Sequence, residues 1–198
     1  MEDWINHEFL ELDFGDKRVE KSGKRIINTL SKQPGASIPK AFNTGSEVKA
    51  CYEFFHSGKV TPERILKPQQ QATLERIKGE AVILLPQDTS ALNYSSKPSI
   101  RDLGNIGGPK NQGIFVHPLL AITPTRINLG IVDAKIWIRE EKNTQLTDHQ
   151  IYALPLEEKE KFRWVESYRV GCQVAQNCPN TQVIVMTDRE GDFAELFE

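Results

Sequence analysis

Two aspartates in this chain stand where buried strands would end. Ala81-Val-Ile-Leu-Leu85 is a continuous apolar run closed by Pro86-Gln87-Asp88, and Val183-Ile-Val-Met186 is closed by Thr187-Asp188. Short, β-branched runs of this kind predict core strands. A carboxylate directly after such a strand lies at a sheet end, where open α/β sheets collect their catalytic groups. The first and last strands of a mixed sheet can be neighbours, which would let Asp88 and Asp188 share divalent metal, since hard oxygen ligands suit Mg²⁺, with Mn²⁺ as a substitute. In phosphoryl transfer a pair of such ions activates the attacking oxygen and stabilises the leaving one. Without a cation, close carboxylates repel each other.

Spacing alone leaves a second reading open, and it is the commoner of the two: Asp before Thr-Ser is a frequent turn cap, and Asp-Arg-Glu a frequent surface ion-pair run. Asp192 is a rival ligand to Asp188, and Glu190 a weaker one. His117 interrupts an apolar strand, where a lone histidine is more often a hydrogen-bonded core residue than a ligand. Trp4, Trp137 and Trp164 read as packing residues.

The elements that must position these groups change character near Gly79. Before it the chain reads as helical. Val19, Gly23, Ile26, Ile27 and Leu30 form one apolar stripe on a helix stopped near Gln33-Pro34-Gly35. A second helix is predicted from Ser46 as N-cap to the Ser57-Gly58 break, and a third from Thr61-Pro62-Glu63 to about Ile77. After Gly79, strands are predicted over 81–85, 114–123 and 129–138, the last two as an antiparallel hairpin around Pro124-Thr125-Arg126. Residues 93–113 read as a long connection and 139–150 as a loop. A helix over 156–176, with Val165, Tyr168, Cys172 and Ala175 on one face, leads to the buried strand 183–186. The expected fold class is therefore α/β: a small helical domain over 1–78, then a mixed-sheet domain over 79–198.

Composition agrees with a globular protein of one domain or two small ones. Of 198 residues, 38% are hydrophobic and 26% charged, and no apolar run nears the roughly 18 to 20 residues that cross a bilayer. The acidic N-terminus lacks the order of a secretory signal, so a cytoplasmic location is expected. Cys51, Cys172 and Cys178 have neither disulfide-framework nor zinc-finger spacing, which predicts reduced thiols. The net charge of −2 is sorted along the chain: residues 17–78 hold thirteen Lys or Arg against five acidic residues, a balance of +8. A basic helical module is what a nucleic-acid partner requires, although lysine-rich helix surfaces also serve solubility.

Specific motifs go further. Trp4, Phe9 and Phe14-Gly-Asp-Lys-Arg18 open the chain, followed by Pro34-Gly-Ala-Ser-Ile-Pro39 and Ala50-Cys-Tyr-Glu-Phe-Phe55. Gln87-Asp-Thr-Ser90 with Leu92 and Tyr94, Leu103-Gly-Asn-Ile-Gly107, His117, Trp137-Ile-Arg139 and Thr187-Asp-Arg-Glu-Gly-Asp-Phe193 follow in order. Over essentially its whole length the sequence resembles the bacterial insertion-sequence DDE transposases, whose RNase H-like core is interrupted by a β-strand insertion.

That resemblance implies an N-terminal domain gripping transposon-end DNA through Lys17, Arg18, Lys24, Arg25, Lys40, Lys49 and Tyr52. It also implies a partial RNase H-like core in which Asp88 and Asp188 are catalytic and hold Mg²⁺. The activity implied is cut-and-paste transposition by phosphodiester hydrolysis and strand transfer. Phe14 stands where leucine is usual. Glu53 stands where the family commonly has arginine, which removes one phosphate contact. The family's third ligand is a glutamate in a Tyr-Arg-Glu-Lys type motif beyond the insertion, and no such motif occurs here. The chain is thus expected to be an N-terminal part, unable to cleave alone. A regulator that occupies transposon ends or traps full-length transposase is the competing expectation, and a decayed, non-functional product a third.

Overall fold

The computed structural model describes residues 3–139 and 147–196, which divide into two compact units at Ala72/Thr73. The division comes earlier than the expected boundary after Lys78, because Thr73 and Ile77 are fully buried and Ile77 belongs to the second core.

The first unit is helical: α1 (Asp3–Glu8), α2 (Lys17–Ser31), α3 (Ile38–Ala41), α4 (Gly45–His56) and most of α5 (Pro62–Ile77). Asp16 caps α2 by accepting the Arg18 N–H. Thr44, rather than the expected Ser46, caps α4, in a reciprocal box with Glu47 that satisfies two otherwise orphaned N–H groups. Thr61 accepts the Arg64 N–H at the start of α5. The core gathers Ile5, Phe9, Phe14, Ile26, Cys51 and Phe54. Gly23 is in the α2 stripe because a Cβ there would stand 3.0 Å from the Phe54 ring and 3.2 Å from that of Phe14. Trp4 is not a core residue, being 45% exposed.

The second unit is built on one mixed sheet. Its strands are β1 (Val82–Pro86), β2 (Ser90–Asn93), β3 (Gly104–Asn105), β4 (Gln112–Ile122), β5 (Asn128–Trp137) and β6 (Gln182–Met186). A single register against β4 runs from Leu84 opposite Ile122, through Gln87 opposite Leu119, to Ser90 opposite Val116 and Asn93 opposite Gly113. β1 and β2 therefore occupy one lane, broken around Asp88. β5 lies antiparallel on β4, forming the expected hairpin, and β6 lies parallel to β1. β3 turns part of the expected connection over 93–113 into a short pairing with β4.

Among the described residues, two α-helices, α6 (Asp148–Ala153) and α7 (Phe162–Asn177), and a 3-10 turn (Leu156–Glu158) lie between β5 and β6. Of the expected loop over 139–150, residues 140–146 are outside the described residues, and Thr147 onward begins α6 with a capping box to Gln150. The buried face of α7 is Arg163, Trp164, Ser167, Gly171 and Val174 together with Val165. The expected stripe is thus rotated by about one residue: Tyr168 is 43% exposed and Ala175 is exposed. Close approach to the sheet decides this, since a Cβ on Gly171 would stand only 2.5 Å from Val185. Strand β6 was expected to be buried, but only one of its faces is covered. Val183 and Val185 pack inward, whereas Ile184 and Met186 remain 39% and 45% exposed. Among the described residues β6 pairs only with β1, which leaves it at the sheet's edge.

Candidate functional site

In the first unit, the basic residues of α2 take the side opposite its core. At 100° per residue, Lys17, Arg18, Lys21, Lys24 and Arg25 fall on an arc facing away from Val19, Gly23, Ile26 and Leu30. Glu20 is the acidic residue of this helix, and its carboxylate accepts the Phe14 N–H at 3.4 Å. Lys21 belongs to this face by spacing alone, although it was not among the expected contacts. No ion pair neutralises the α2 cations among the described residues. Lys40 is exposed at the end of α3.

On α4 the outward face carries Lys49, Tyr52, Glu53 and His56. Tyr52 is 43% exposed, and its backbone carbonyl accepts from the His56 ring at 2.8 Å. Lys49 is partly neutralised by Glu53 at 3.7 Å. Asp16, whose carboxyl is held below its ordinary pKa chiefly by the Lys59 ammonium, pairs with Lys59 at 2.8 Å.

In the second unit, β1 and β6 run in register from Val82 opposite Gln182 to Pro86 opposite Met186. Asp88 and Asp188 follow those last partners by two residues each, just beyond the ends of the two strands. Both are exposed. Asp88 Oδ1 accepts the Thr89 N–H at 2.7 Å, and Asp188 Oδ1 caps a short 3-10 turn, Arg189–Gly191, by accepting the Glu190 N–H at 2.8 Å. The expected capping geometry is therefore present at Asp188, whereas Asp88 bonds only the adjacent N–H ahead of β2. These bonds leave each second oxygen without a hydrogen bond, and neither aspartate has an ion-pair partner among the described residues. Such a donor set, two unpaired carboxylates on adjacent lanes, fits a hard cation that keeps several waters. No cluster of three His, Cys, Asp or Glu side chains able to hold a metal occurs among the described residues.

The rival ligands go elsewhere. Glu190 Oε2 accepts from Arg163 Nη2 at 2.7 Å, and exposed Asp192 ends the 3-10 turn. His117 is 1% exposed and points into the covered side of the sheet. A directional chain fixes it: Arg163 Nε donates to Thr89 Oγ1 at 2.8 Å, Thr89 Oγ1 to His117 Nδ1 at 2.8 Å, and His117 Nε2 to Gln87 Oε1 at 3.0 Å. With the ring neutral and Gln87 Oε1 accepting from Nε2–H, Nδ1 is left as an acceptor for the Thr89 hydroxyl, whose oxygen in turn accepts from Arg163. The imidazole stacks edge-on to Trp164 with centroids 4.7 Å apart. Burial, followed by the nearby Arg163 charge, pushes its pKa down to about 4, so the ring is neutral. Behind it, Arg139 forks onto Glu160 with two bonds of 2.7 Å, and this pairing outweighs burial to hold the Glu160 carboxyl below its usual range.

The arrangement is a helical unit with a basic face on α2, followed by an α/β unit with two exposed aspartates just past the ends of adjacent parallel strands. Residues 1–60 match the family model for transposase DNA-binding. That match supports a transposase-related protein and suggests a DNA-binding role for residues 1–60. A search among curated proteins found no match. No helix among the described residues is long and apolar enough to cross a membrane. The three cysteines are free, with Cys51 and Cys178 buried.

Proposed function

We propose that this chain binds transposon-end DNA through its first unit and that its second unit is part of an RNase H-like DDE transposase core, with Asp88 and Asp188 as two of its metal-holding carboxylates. The observation that carries this reading is the place of the two aspartates just past the ends of the paired strands β1 and β6. They follow adjacent parallel strands at matching register, two residues past the last paired positions, and neither forms an ion pair among the described residues. The lane order supports it as well: three antiparallel lanes, then a helix that returns the chain to a fourth lane parallel to the first.

Phosphate contacts from α2 orient the duplex and carry the salt dependence of binding. Asp88 and Asp188 hold their side chains in place through bonds to Thr89 and Glu190 backbone N–H groups, leaving one oxygen of each for coordination. Mg²⁺ held there would stabilise charge on the attacking and leaving oxygens of a phosphodiester. His117, neutral and tied at both ring nitrogens, supports the strand and takes no part in proton transfer.

A second reading, an end-occupying regulator that traps full-length transposase without cleaving, is favoured by the lack of a third metal-binding side chain beside the pair among the described residues. One experiment separates the two readings. End DNA is titrated with the chain by fluorescence anisotropy, and nicking is then followed with Mn²⁺ and with Mg²⁺. Tight, salt-sensitive binding with metal-dependent nicking lost in Asp88→Asn supports the transposase reading. Binding without nicking supports the regulator, and affinity unchanged by salt or by removal of the α2 charges refutes both.

A further inference from the structure

We infer that Arg163 is a positioning residue that locks the Asp88 and Asp188 segments to each other. The inference rests, for its consequence on metal, on the reading proposed above. The backbone ladder between β1 and β6 ends where the Gln87 N–H donates to the Met186 carbonyl at 3.0 Å. Both aspartates lie beyond that last rung, where strand pairing no longer sets their separation. Arg163, on α7 and 9% exposed, reaches both segments. Its Nε donates to Thr89 Oγ1 at 2.8 Å, its Nη2 to Glu190 Oε2 at 2.7 Å, and its Nη1 to the Glu160 carbonyl at 2.7 Å.

The linkage is symmetric about the guanidinium. Thr89, gripped through its side chain, gives its N–H to Asp88; Glu190, gripped through its side chain, gives its N–H to Asp188. Each carboxylate is therefore one backbone hydrogen bond from a residue that Arg163 holds. The planar fork fixes the spacing of its donors, which a lysine ammonium on a flexible stem does not. An arginine on the covered face of α7 also needs these partners, because a buried charge stripped of them is strongly destabilising. Glu190, whose side chain is 63% exposed, thereby serves as an anchor rather than as a metal ligand.

The test reads the coupling with metal absent. Amide exchange at Thr89 and Glu190 is measured by NMR in the full chain and in Glu190→Gln, Thr89→Val, Arg163→Lys and Arg163→Met. Glu190→Gln should speed exchange at Thr89, and Thr89→Val should speed it at Glu190, although the ladder does not join the two. Arg163→Met should speed both and abolish the cross-effect, and Arg163→Lys should not restore it. Glu190→Gln and Thr89→Val leave Arg163 in place, so the proposal stays testable if the Arg163 variants fail to fold. Exchange rates that respond only locally, or full rescue by lysine, would overturn it. In a separate arm, Mn²⁺ binding is followed by electron paramagnetic resonance. Weakening of about tenfold or more in Arg163→Lys, with the fold retained, is expected of an outer residue that orients ligands. Mn²⁺ binding unaffected by Asp88→Asn and Asp188→Asn overturns the metal reading by itself, while the exchange data continue to decide the positioning.

Discussion

The neutral, buried His117 makes the stability of the second unit depend on pH, with a definite sign. In the unfolded chain the imidazole titrates near its ordinary value of 6.5; in the fold, burial and the Arg163 charge bring it to about 4. Below the unfolded value the unfolded state binds the extra proton, so stability from this group is fully present above about pH 6.5 and is lost as pH falls toward 4. The whole shift corresponds to about 3 kcal/mol, of which about 2 kcal/mol disappears between about pH 8 and about pH 5.

The groups that bear on the ring are Arg163 and Lys135, which oppose its protonation, and Asp88 and Asp188, which favour it. Urea unfolding at the two pH values, in the wild type and in His117→Asn, isolates the contribution from the other titrating groups. The wild type should lose about 2 kcal/mol more than the variant on acidification. The His117 ring signals should remain those of the neutral form at pH 5. Equal losses in the two proteins, or a His117 resonance titrating near 6.5, would refute the reasoning.

Replacing Glu53 with arginine should tighten DNA binding, because it frees Lys49 from a 3.7 Å ion pair and adds a cation to the outward face of α4. In anisotropy titrations against KCl the plot of log affinity on log salt should steepen by about one phosphate contact. Gly171→Ala should destabilise the second unit by about 1–3 kcal/mol in urea, since the new methyl group collides with Val185 at 2.5 Å and must displace α7 or β6. The same displacement moves the strand that carries Asp188, so Mn²⁺ affinity should fall together with stability.

The sequence by itself determined what depends on neighbours a few residues away. The α2 stripe, the α5 limits and the β4–β5 hairpin follow from periodicity and from capping or turn residues, and these read correctly. It also placed Asp88 and Asp188 at strand ends, because a buried run stops where a charge must reach water. Tertiary structure decided the rest. Which side of α7 faces the sheet depended on Gly171 meeting Val185, and a one-residue rotation moved Tyr168 out and Trp164 in. Burial of one side of β6 and exposure of the other followed from its position at the sheet edge. Arg163 gave no sequence signal beyond a charge in an amphipathic helix, since its partners Thr89 and Glu190 lie 74 and 27 residues away. The two aspartates were legible as residue types at strand ends. The adjacency of their strands and the guanidinium linking their segments arise only when distant elements come together, which no local pattern encodes.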